Sequence, residues 1–486
     1  MTDLFAGCTR LLDEAVERVG THPVADEVRE ARTRLAEPLR VAVAGRVKAG
    51  KSTLVNAMVG ELVAPTDARE CTKVVTWYRD GVTYRVEGVE GGGSRVPLRF
   101  DRRDGALEVD LNGRSAASLQ CIEVTWPSAL LRKMVLVDTP GIGSSNEDVS
   151  ARTERFLERD HQAAPADAVV YLLRHVHQAD VGFLEAFHDD ALASANPLNA
   201  LGVLSRADEI GVARPDAMAS AQRIAARWRS DRRLSALVQN VVPVAGLLAE
   251  GARTLRQDEY DDMAALARAD EALVDEILIS VDRFAGSSAP VGTEPELRRR
   301  LLERYGLFGC RQSVEILRRG LAPNAQALAD ELLVRSGLPA LRRDLDDRFS
   351  RRAGLLKARQ ALFVVHRAAA ALGDAELAGS VERLLSQAHE LSEIRVLNLI
   401  HQGALPLADG DLDSARVLLG ERGLDPAVRA GLAGGTDLVE VRAALGEEHA
   451  RWQARAGHPL ASPEVASAAT VLVRTCEGLI AALTSP

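Results

Sequence analysis

Lysine and long apolar runs are both scarce in this sequence. The 486 residues include only five lysines, and two of them, Lys48 and Lys51, lie in one short loop. A helix that crosses a bilayer needs about 20 consecutive apolar residues, and the sequence contains no such run. We therefore expect any contact with a membrane to be peripheral.

Cysteine is also sparse, and its spacing gives no sign of a metal site. The five cysteines are far apart and form no CxxC pair; they are Cys8, Cys71, Cys121, Cys310 and Cys476. Free thiols in a reducing cytoplasm are the expected state. The net charge of −9 is spread along the chain, so we expect no nucleic-acid partner.

The first 36 residues predict an amphipathic helix, either continuous or broken near His22. Apolar residues recur at helical spacing over 3–36, mixed with charged ones, which is not typical of a secretory signal. Because no core precedes this apolar stripe, we expect it to pack on helices from far downstream.

Hydrophobic periodicity changes twice along the rest of the chain. Continuously apolar runs, typical of parallel strands covered on both faces, occur at 41–44, 134–137, 168–173, 201–204 and 241–244. Between 74 and 126 the apolar residues instead alternate with polar ones, which predicts an antiparallel excursion at the sheet edge. After about residue 251 helical periodicity continues to the end.

The first apolar run leads into a GxxxxGKS loop. The loop reads Gly45-Arg46-Val47-Lys48-Ala49-Gly50-Lys51-Ser52, and Thr53 follows it. Glycines let backbone N–H groups approach phosphate oxygens, and the N-terminus of the next helix adds its positive dipole end. Lys51 is expected to reach the β- and γ-phosphates, and Ser52 to ligate Mg²⁺. The alternative, a chance match in a turn, is disfavoured by the strand–loop–helix context.

Asp138-Thr139-Pro140-Gly141 follows the apolar run 134–137. Such a turn alone is common at strand ends. Downstream of a phosphate-binding loop, however, Asp138 supplies a carboxylate for Mg²⁺, through water, and the Gly141 N–H can meet the γ-phosphate.

A threonine that contacts Mg²⁺ is expected between these two motifs. We choose Thr72, with Thr66 and Thr76 as alternatives. Thr76 has the alternating neighbours of a strand, so a structural role is expected for it.

The choice of base depends on the run 201–204 and the residues after it. Ser205-Arg206-Ala207-Asp208 stands where most GTP-binding domains carry (N/T)KxD. Asp208 would accept hydrogen bonds from two guanine donors that adenine lacks, which predicts GTP rather than ATP. The Arg206 stem can still cover the purine face. Ala245 and Gly246 stand where a backbone N–H meets guanine O6, with an ordinary turn as the alternative.

The residue that orients the catalytic water is not evident. Ile142 follows Gly141, where Ras-type GTPases place a glutamine. Arg46 and Lys48 are candidates to offset charge on the bridging oxygen. They are equally compatible with a role as solvated side chains.

With these motifs in place, the chain resembles the bacterial dynamin-like GTPases, above all their isoniazid-inducible Ini group. The resemblance runs through LAEPLRVAVAGRVKAGKSTLVNAMVGELVAPTDARECTKVVTWYR, VDTPG, SRADEIG, VVPVAGLLA, LLERYGLFG and RSGLPALR. It implies a phosphate loop at 45–53, a switch threonine at Thr72, Asp138 on the Mg²⁺ side and Asp208 as the base-reading residue. The SRAD variant belongs to that group.

The same resemblance implies a GTPase head on a helical neck built from N- and C-terminal helices. It also implies nucleotide-dependent pairing of heads and work at the cytoplasmic membrane under envelope stress. Two departures stand out. Val47 and Lys48 replace the Gln-Ser pair of eukaryotic dynamins, so their cation-assisted chemistry is not carried over. A hydrophobic membrane tip is not evident; 396–400 and 405–407 around Gly403 are expected to be core positions, with a small tip as the alternative.

The sequence thus predicts an α/β P-loop GTPase domain, with a mostly parallel sheet and an antiparallel edge excursion, plus an all-α helical bundle. The expected units are a neck helix over 1–36, a GTPase domain over 37–350 and a neck or stalk bundle over 351–486. The expected ligands are GTP, GDP and Mg²⁺. The expected partners are a second copy or a related dynamin-like protein, and lipid at the inner face of the cell membrane. Two other functions stay open: a regulatory or assembly GTPase acting on a protein or RNA, and a nucleotide-gated scaffold with negligible turnover.

Overall fold

The computed structural model describes residues 2–64, 74–90, 92–103, 105–140, 166–174, 180–184, 199–235, 237–401 and 403–483. Nine strands within these ranges form one sheet in the order β11-β10-β9-β1-β8-β2-β7-β3-β4, and β5 pairs with β6. The strands are β1 (Leu39–Gly45), β2 (Val75–Arg79), β3 (Arg85–Glu90), β4 (Arg95–Pro97), β5 (Arg99–Arg103), β6 (Ala106–Asp110), β7 (Leu119–Thr125), β8 (Met134–Asp138), β9 (Ala168–Leu173), β10 (Ala200–Ser205) and β11 (Val241–Val244).

The five continuously apolar runs form the parallel part of this sheet. β11, β10, β9, β1 and β8 pair in parallel, and every residue of β1 is buried, as expected for strands covered on both faces. β2 is antiparallel to β8, and β3 is antiparallel to β7 and β4. The predicted fold class is therefore confirmed. The parallel pairing of β2 with β7 was not predicted.

The other regular elements of the described chain are mainly helices. They are α1 (Thr2–Val19), α2 (Ala25–Ala36), α3 (Lys51–Val59), α4 (Ala217–Arg229), α5 (Arg232–Ser235), α6 (Gly246–Arg253), α7 (Gln257–Arg268), α8 (Glu271–Ile277), α9 (Val281–Gly286), α10 (Pro295–Arg318), α11 (Ala325–Arg335), α12 (Leu338–Leu345), α13 (Ala353–Leu372), α14 (Ala375–Gln387), α15 (His389–His401), α16 (Asp409–Leu418), α17 (Pro426–Arg429), α18 (Leu438–Ala456) and α19 (Pro463–Ala482). A 3-10 turn spans Ala207–Glu209, and a π-helical turn, Asp346–Ser350, lies between α12 and α13.

The N-terminal segment forms two helices rather than one. The chain turns between α1 and α2, where Gly20 has φ +50°. α1 packs against α13 and α14, so the apolar stripe is covered by helices from far downstream. Lys357 of α13 donates to the carbonyls of Leu35 and Glu37, both at 2.8 Å, which fixes the end of α2. The division of the chain at 36/37 and 350/351 stays a prediction.

The two segments considered as a membrane tip lie in a core. Val396, Ile400 and Leu405 are each at most 3% exposed and cluster with Trp452 and Leu472. The core interpretation is therefore confirmed.

Among the described helices, α19 is long and apolar enough by composition to cross a membrane. Arg474 and Glu477 interrupt its apolar run. In the folded chain 33% of the most apolar 18-residue stretch of α19 is buried, and the helix packs along α18.

Candidate functional site: a nucleotide cleft at the carboxyl edge of the sheet

The phosphate loop joins β1 to α3, and two glycines determine its path. Gly45 has φ +146°, and a Cβ there would lie 2.8 Å from the carbonyl oxygen of Leu172 on β9. Gly50 has φ +92° and stands directly before α3. A larger residue at either position would be strained. The loop can therefore run close to β9 and turn sharply into the helix.

Lys51 is folded back onto its own loop. Its side chain is buried, and Nζ donates to the carbonyl oxygens of Gly45 and Arg46, both at 3.1 Å. Burial lowers the pKa of Lys51, and the nearby charge of Asp138 opposes that shift. The ammonium group is thus held at the mouth of the loop by carbonyl acceptors, which a phosphate oxygen can replace.

Ser52 and Asp138 meet directly. Ser52 Oγ donates to Asp138 Oδ2 at 2.8 Å, while Oδ1 of Asp138 is buried with no hydrogen-bond partner in the described chain. Burial raises the pKa of the Asp138 carboxyl to about 6, against the opposing effects of Lys51 and Ser52. The turn is held by Thr139, whose Oγ1 donates to the Val43 carbonyl at 2.9 Å.

This pair fits a hard divalent cation. A hydroxyl and a carboxylate with an unused buried oxygen are donors that Mg²⁺ accepts, and Mg²⁺ commonly completes its shell with phosphates and waters. Within the described residues there is no cluster of three or more acidic, histidine or cysteine side chains that would form an all-protein metal site.

The other residues of the phosphate loop divide by exposure. Arg46, Val47 and Lys48 are exposed, and Lys48 has φ +62°. Ala49 is buried, and together with Gly50 and Thr53 it faces a cavity described below.

Two of the predicted contacts, those of Thr72 with Mg²⁺ and of Gly141 with the γ-phosphate, fall on residues that the structure does not describe. Thr72, its alternative Thr66, and Gly141 lie outside the described residues. Thr76 lies in β2, where it is buried, so its predicted place in a strand is confirmed.

The base-side motif follows β10. Ser205 is buried, and its Oγ donates to the Leu173 carbonyl at 3.3 Å, which ties β10 to β9. Arg206 has φ +51°, and its guanidinium pairs with Glu209 at 2.8 Å. Asp208 is buried in the 3-10 turn, and this burial raises the pKa of its carboxyl to about 6. An acceptor carboxylate is thus held in a largely dry site.

One cavity joins the phosphate loop to the base-side motif. Its volume is about 150 Å³. Both ends of the cleft contribute to its lining. The phosphate loop supplies Gly50 and Thr53, and the base-side segments supply Ser205, Arg206, Asp208 and Gly246. The arrangement brings together residues that are separated by almost 200 positions, because parallel strands end at the same edge of the sheet.

Ala245 and Gly246 have different environments. The Ala245 N–H donates to the Ser336 carbonyl at 2.9 Å, so that group is already used. Gly246 lines the cavity.

Sequence reasoning missed the apolar walls. Leu172, Val203 and Leu247 line the same cavity. Leu172 and Val203 lie near the carboxyl ends of apolar runs that neighbour the phosphate loop. This position in the sequence could have indicated that they line the cleft.

Sequence comparisons with known proteins identify the family of this chain. A sequence model of the dynamin family matches residues 41–186. The isoniazid-induced protein IniC of Mycobacterium tuberculosis is 41% identical over 451 residues, which cover 92% of this chain and 91% of IniC. The chain belongs to the dynamin family. The matched residues include most of β1, the phosphate loop and Asp138.

Other bacterial dynamins match at lower sequence identity. A bacterial dynamin-like protein of Nostoc punctiforme is 30% identical over 130 residues, 24% of this chain and 18% of its own. Two solved structures of an oligomerised bacterial dynamin pair have TM-scores of 0.30 and 0.34 at 12% identity. They cover 99% and 98% of this chain, and 75% and 90% of their own.

Proposed function

We propose that this chain binds GTP together with Mg²⁺ and hydrolyses it to GDP and phosphate. The observation that carries the proposal is the shared cavity between the loop residues Gly50 and Thr53 and the buried carboxylate of Asp208. Membership of the dynamin family, with its GTPase domain, supports the same conclusion.

Each side chain has a role that follows from its contacts. Lys51 exchanges two loop carbonyls for phosphate oxygens, which is favourable because the new partners are charged. Ser52 and Asp138 would hold Mg²⁺ from the protein side, and the bound ion would supply positive charge next to the β- and γ-phosphates. Asp208 accepts from the two donors on the guanine edge, and Arg206 covers the purine face with its stem.

The catalytic geometry is proposed to be completed when two heads pair across the nucleotide cleft. Arg46 and Lys48 are exposed beside the phosphate loop, so a second head can contact them or reposition them against the bridging oxygen. Thr72 is proposed to contact Mg²⁺, and Gly141 to contact the γ-phosphate. Ile142 cannot orient water, which is why a contribution from the partner head is needed.

Hydrolysis is proposed to move α1, α2 and the C-terminal helical bundle relative to the GTPase domain. This movement is proposed to take place at the inner face of the cytoplasmic membrane. Its role there would be membrane remodelling or maintenance under envelope stress. The partner is a second copy or a related dynamin-like protein. The support is family membership, above all the likeness to an isoniazid-induced protein over nearly its whole length.

The test is GTPase activity measured against protein concentration, with and without anionic liposomes, with ATP as the comparison nucleotide. Specific activity that rises with concentration and with liposomes is expected. Activation only by RNA would favour an assembly GTPase. Tight GTP binding without turnover under every condition would favour a nucleotide-gated scaffold.

A further inference from the structure

The loop that follows Asp208 has an unusual backbone. Gly211, Val212 and Ala213 have φ of +65°, +63° and +57° in succession. Side chains disfavour this left-handed region, so Val212 and Ala213 keep it only where surrounding contacts impose it. The loop is therefore held from outside, and the holding contacts come from a helix about 100 residues later in the chain.

Arg311 of α10 makes those contacts. Its guanidinium donates to the carbonyl oxygens of Val212, at 3.4 Å, and Ala213. The same group donates to the carbonyls of Leu278, at 2.9 and 2.5 Å, and Ile279, at 2.9 Å, directly after α8. A planar guanidinium with five donors can bridge these acceptors, whereas a lysine could not. Arg311 thus ties the left-handed loop to the end of α8.

Gly306 of the same helix lies against Asp208 itself. α10 breaks at Gly306, which has φ +64° and ψ 172°, a conformation that is essentially limited to glycine. A Cβ built on it would lie 3.8 Å from Asp208 Oδ2 and 3.6 Å from Leu247 Cδ2. The backbone of the break therefore covers the buried carboxylate and one apolar wall of the cavity.

The turn before the break is firmly anchored. Arg304 donates to Glu259 of α7 at 2.8 Å, and to the Thr254 carbonyl at 2.9 Å. The Tyr305 hydroxyl donates to the same Glu259 at 2.8 Å. A Cβ on Gly251 of α6 would lie only 2.7 Å from the Tyr305 ring, so α6 and α10 are in close contact. The break cannot shift without losing these interactions.

We propose that Gly306 and Arg311 are positioning residues for guanine recognition: α10 sets the place of Asp208 and of the loop behind it. The inference rests on the proposed role of Asp208 as the base-reading residue. Neither Gly306 nor Arg311 needs to touch the nucleotide. Their effect is on the alignment of the two carboxylate oxygens with the two guanine donors.

Inosine triphosphate provides the measurement, because its base keeps N1–H and lacks the 2-amino group. The ratio of the dissociation constants for inosine triphosphate and GTP reports whether Asp208 reaches both donors. A hydrogen bond to a charged group is worth about tenfold in affinity or more, so the unmodified protein should prefer GTP by about that factor. Arg311→Ala and Gly306→Ala should lower GTP affinity about tenfold, lower inosine triphosphate affinity less, and bring the ratio towards one.

Two further variants make the result specific. Arg319→Ala removes an exposed arginine at the end of the same helix, paired with Glu315 at 2.9 Å, and should leave both affinities unchanged. Arg311→Lys keeps the charge but not the fork of donors, so it should also reduce the ratio. It serves in place of Gly306→Ala if that variant does not fold. Equal weakening of both nucleotides by the folded variants, or an unchanged ratio, would overturn the positioning role.

Asp208→Asn separates this inference from the proposal beneath it. If Asp208 reads the base, this variant loses the preference for GTP and gains affinity for xanthosine triphosphate, whose 2-oxo group accepts from the amide. Retained GTP preference in Asp208→Asn would refute the base-reading role. A normal Asp208→Asn result with an unchanged ratio in the α10 variants would refute only the inference about Gly306 and Arg311.

Discussion

Ser52 Oγ lies 2.8 Å from Asp138 Oδ2, although the two residues are 86 positions apart in the chain. Ser52 is the second residue of α3, the helix after β1, and Asp138 ends β8, the parallel neighbour of β1. The contact joins the two protein groups that we propose for Mg²⁺. It also leaves the second carboxylate oxygen of Asp138 buried without a partner among the described residues.

Asp138→Asn should therefore stabilise the nucleotide-free protein while impairing its use of Mg²⁺. The pKa of Asp138 is raised from 3.8 to about 6 by burial, so the folded state holds a proton that the unfolded state releases. A group shifted in this direction contributes stability below pH 3.8, and that contribution is lost as pH rises through 6. At pH 7.5 the amide should raise the free energy of unfolding by up to about 3 kcal/mol, because one unit of pKa shift corresponds to about 1.4 kcal/mol.

Thermal unfolding of the two proteins at pH 7.5 and at pH 4 checks this. The gain should be present at pH 7.5 and nearly absent at pH 4, where both side chains are neutral. GTP affinity of Asp138→Asn should no longer respond to added Mg²⁺. A lower melting temperature for Asp138→Asn at pH 7.5 would contradict the argument.

GTP affinity should decrease as pH falls through 6. Asp208 must be ionised to accept two hydrogen bonds from guanine, and burial raises its pKa to about 6. Below that pH a proton must leave before the base binds, so the dissociation constant should rise by up to about tenfold per pH unit.

Isothermal titration between pH 5 and 8 measures this dependence. Because Asp138 titrates in the same range, the series is repeated in Asp138→Asn, where the dependence on pH should persist. Its disappearance there would assign the effect to Asp138 instead of Asp208.

The ends of the parallel strands could be predicted from the sequence. A strand that is buried on both faces of a parallel sheet is continuously apolar, so each short apolar run marks such a strand. The runs that end near Gly45, Asp138, Ser205 and Val244 all became strands, and parallel pairing placed these ends along one edge. The break between α1 and α2 was less clear, because Gly20 and Pro23 punctuate a pattern that otherwise continues.

Contacts that later helices and loops make with the residues at this edge of the sheet could not be predicted from the sequence. The N–H of Ala245 is taken by the Ser336 carbonyl, a backbone contact that leaves no sequence pattern. Gly306 looks like an ordinary helix interruption, and nothing local indicates that it lies beside Asp208. Such tertiary contacts depend on how α10 docks, which periodicity does not encode.

Lys51→Ala should abolish tight triphosphate binding. The ammonium group is buried at the mouth of the phosphate loop, and charge-assisted hydrogen bonds to phosphate contribute about 1.5–3 kcal/mol each. The dissociation constant for GTP should rise at least about 100-fold, because a loss of about 2.7 kcal/mol corresponds to that factor. Fluorescence titration with a labelled GTP analogue provides the measurement.

Lys133→Ala is the matched control. Lys133 pairs with Asp346 at 2.7 Å on the surface, where its side chain is 58% exposed, and such pairs add little stability. This variant should bind GTP as the unmodified protein does. If Lys51→Ala and Lys133→Ala bound GTP with equal affinity, the assignment of Lys51 to the phosphate-binding site would be refuted.

Arg34→Ala should destabilise the whole fold more than any exposed arginine of α2. Arg34 donates to Asp167 at 2.9 Å, and both side chains are at most 7% exposed. The other oxygen of Asp167 accepts from the backbone N–H of Arg40 at 2.8 Å, at the entry to β1. Removing Arg34 leaves a buried carboxylate without its cation, which costs about 3–5 kcal/mol.

Arg29→Ala isolates the effect of burial. Arg29 lies on the same helix and pairs with Asp26 at 2.8 Å, but their side chains are 50% and 97% exposed, so the expected loss is below about 1 kcal/mol. Chemical denaturation of both variants, with circular dichroism as the readout, should show a large fall in midpoint for Arg34→Ala alone. Because Asp167 stands directly before β9, that loss would be shared by the sheet that carries the phosphate loop. Similar midpoints for the two variants would show that Asp167 finds another partner, and that α2 is not fixed to the head by this pair.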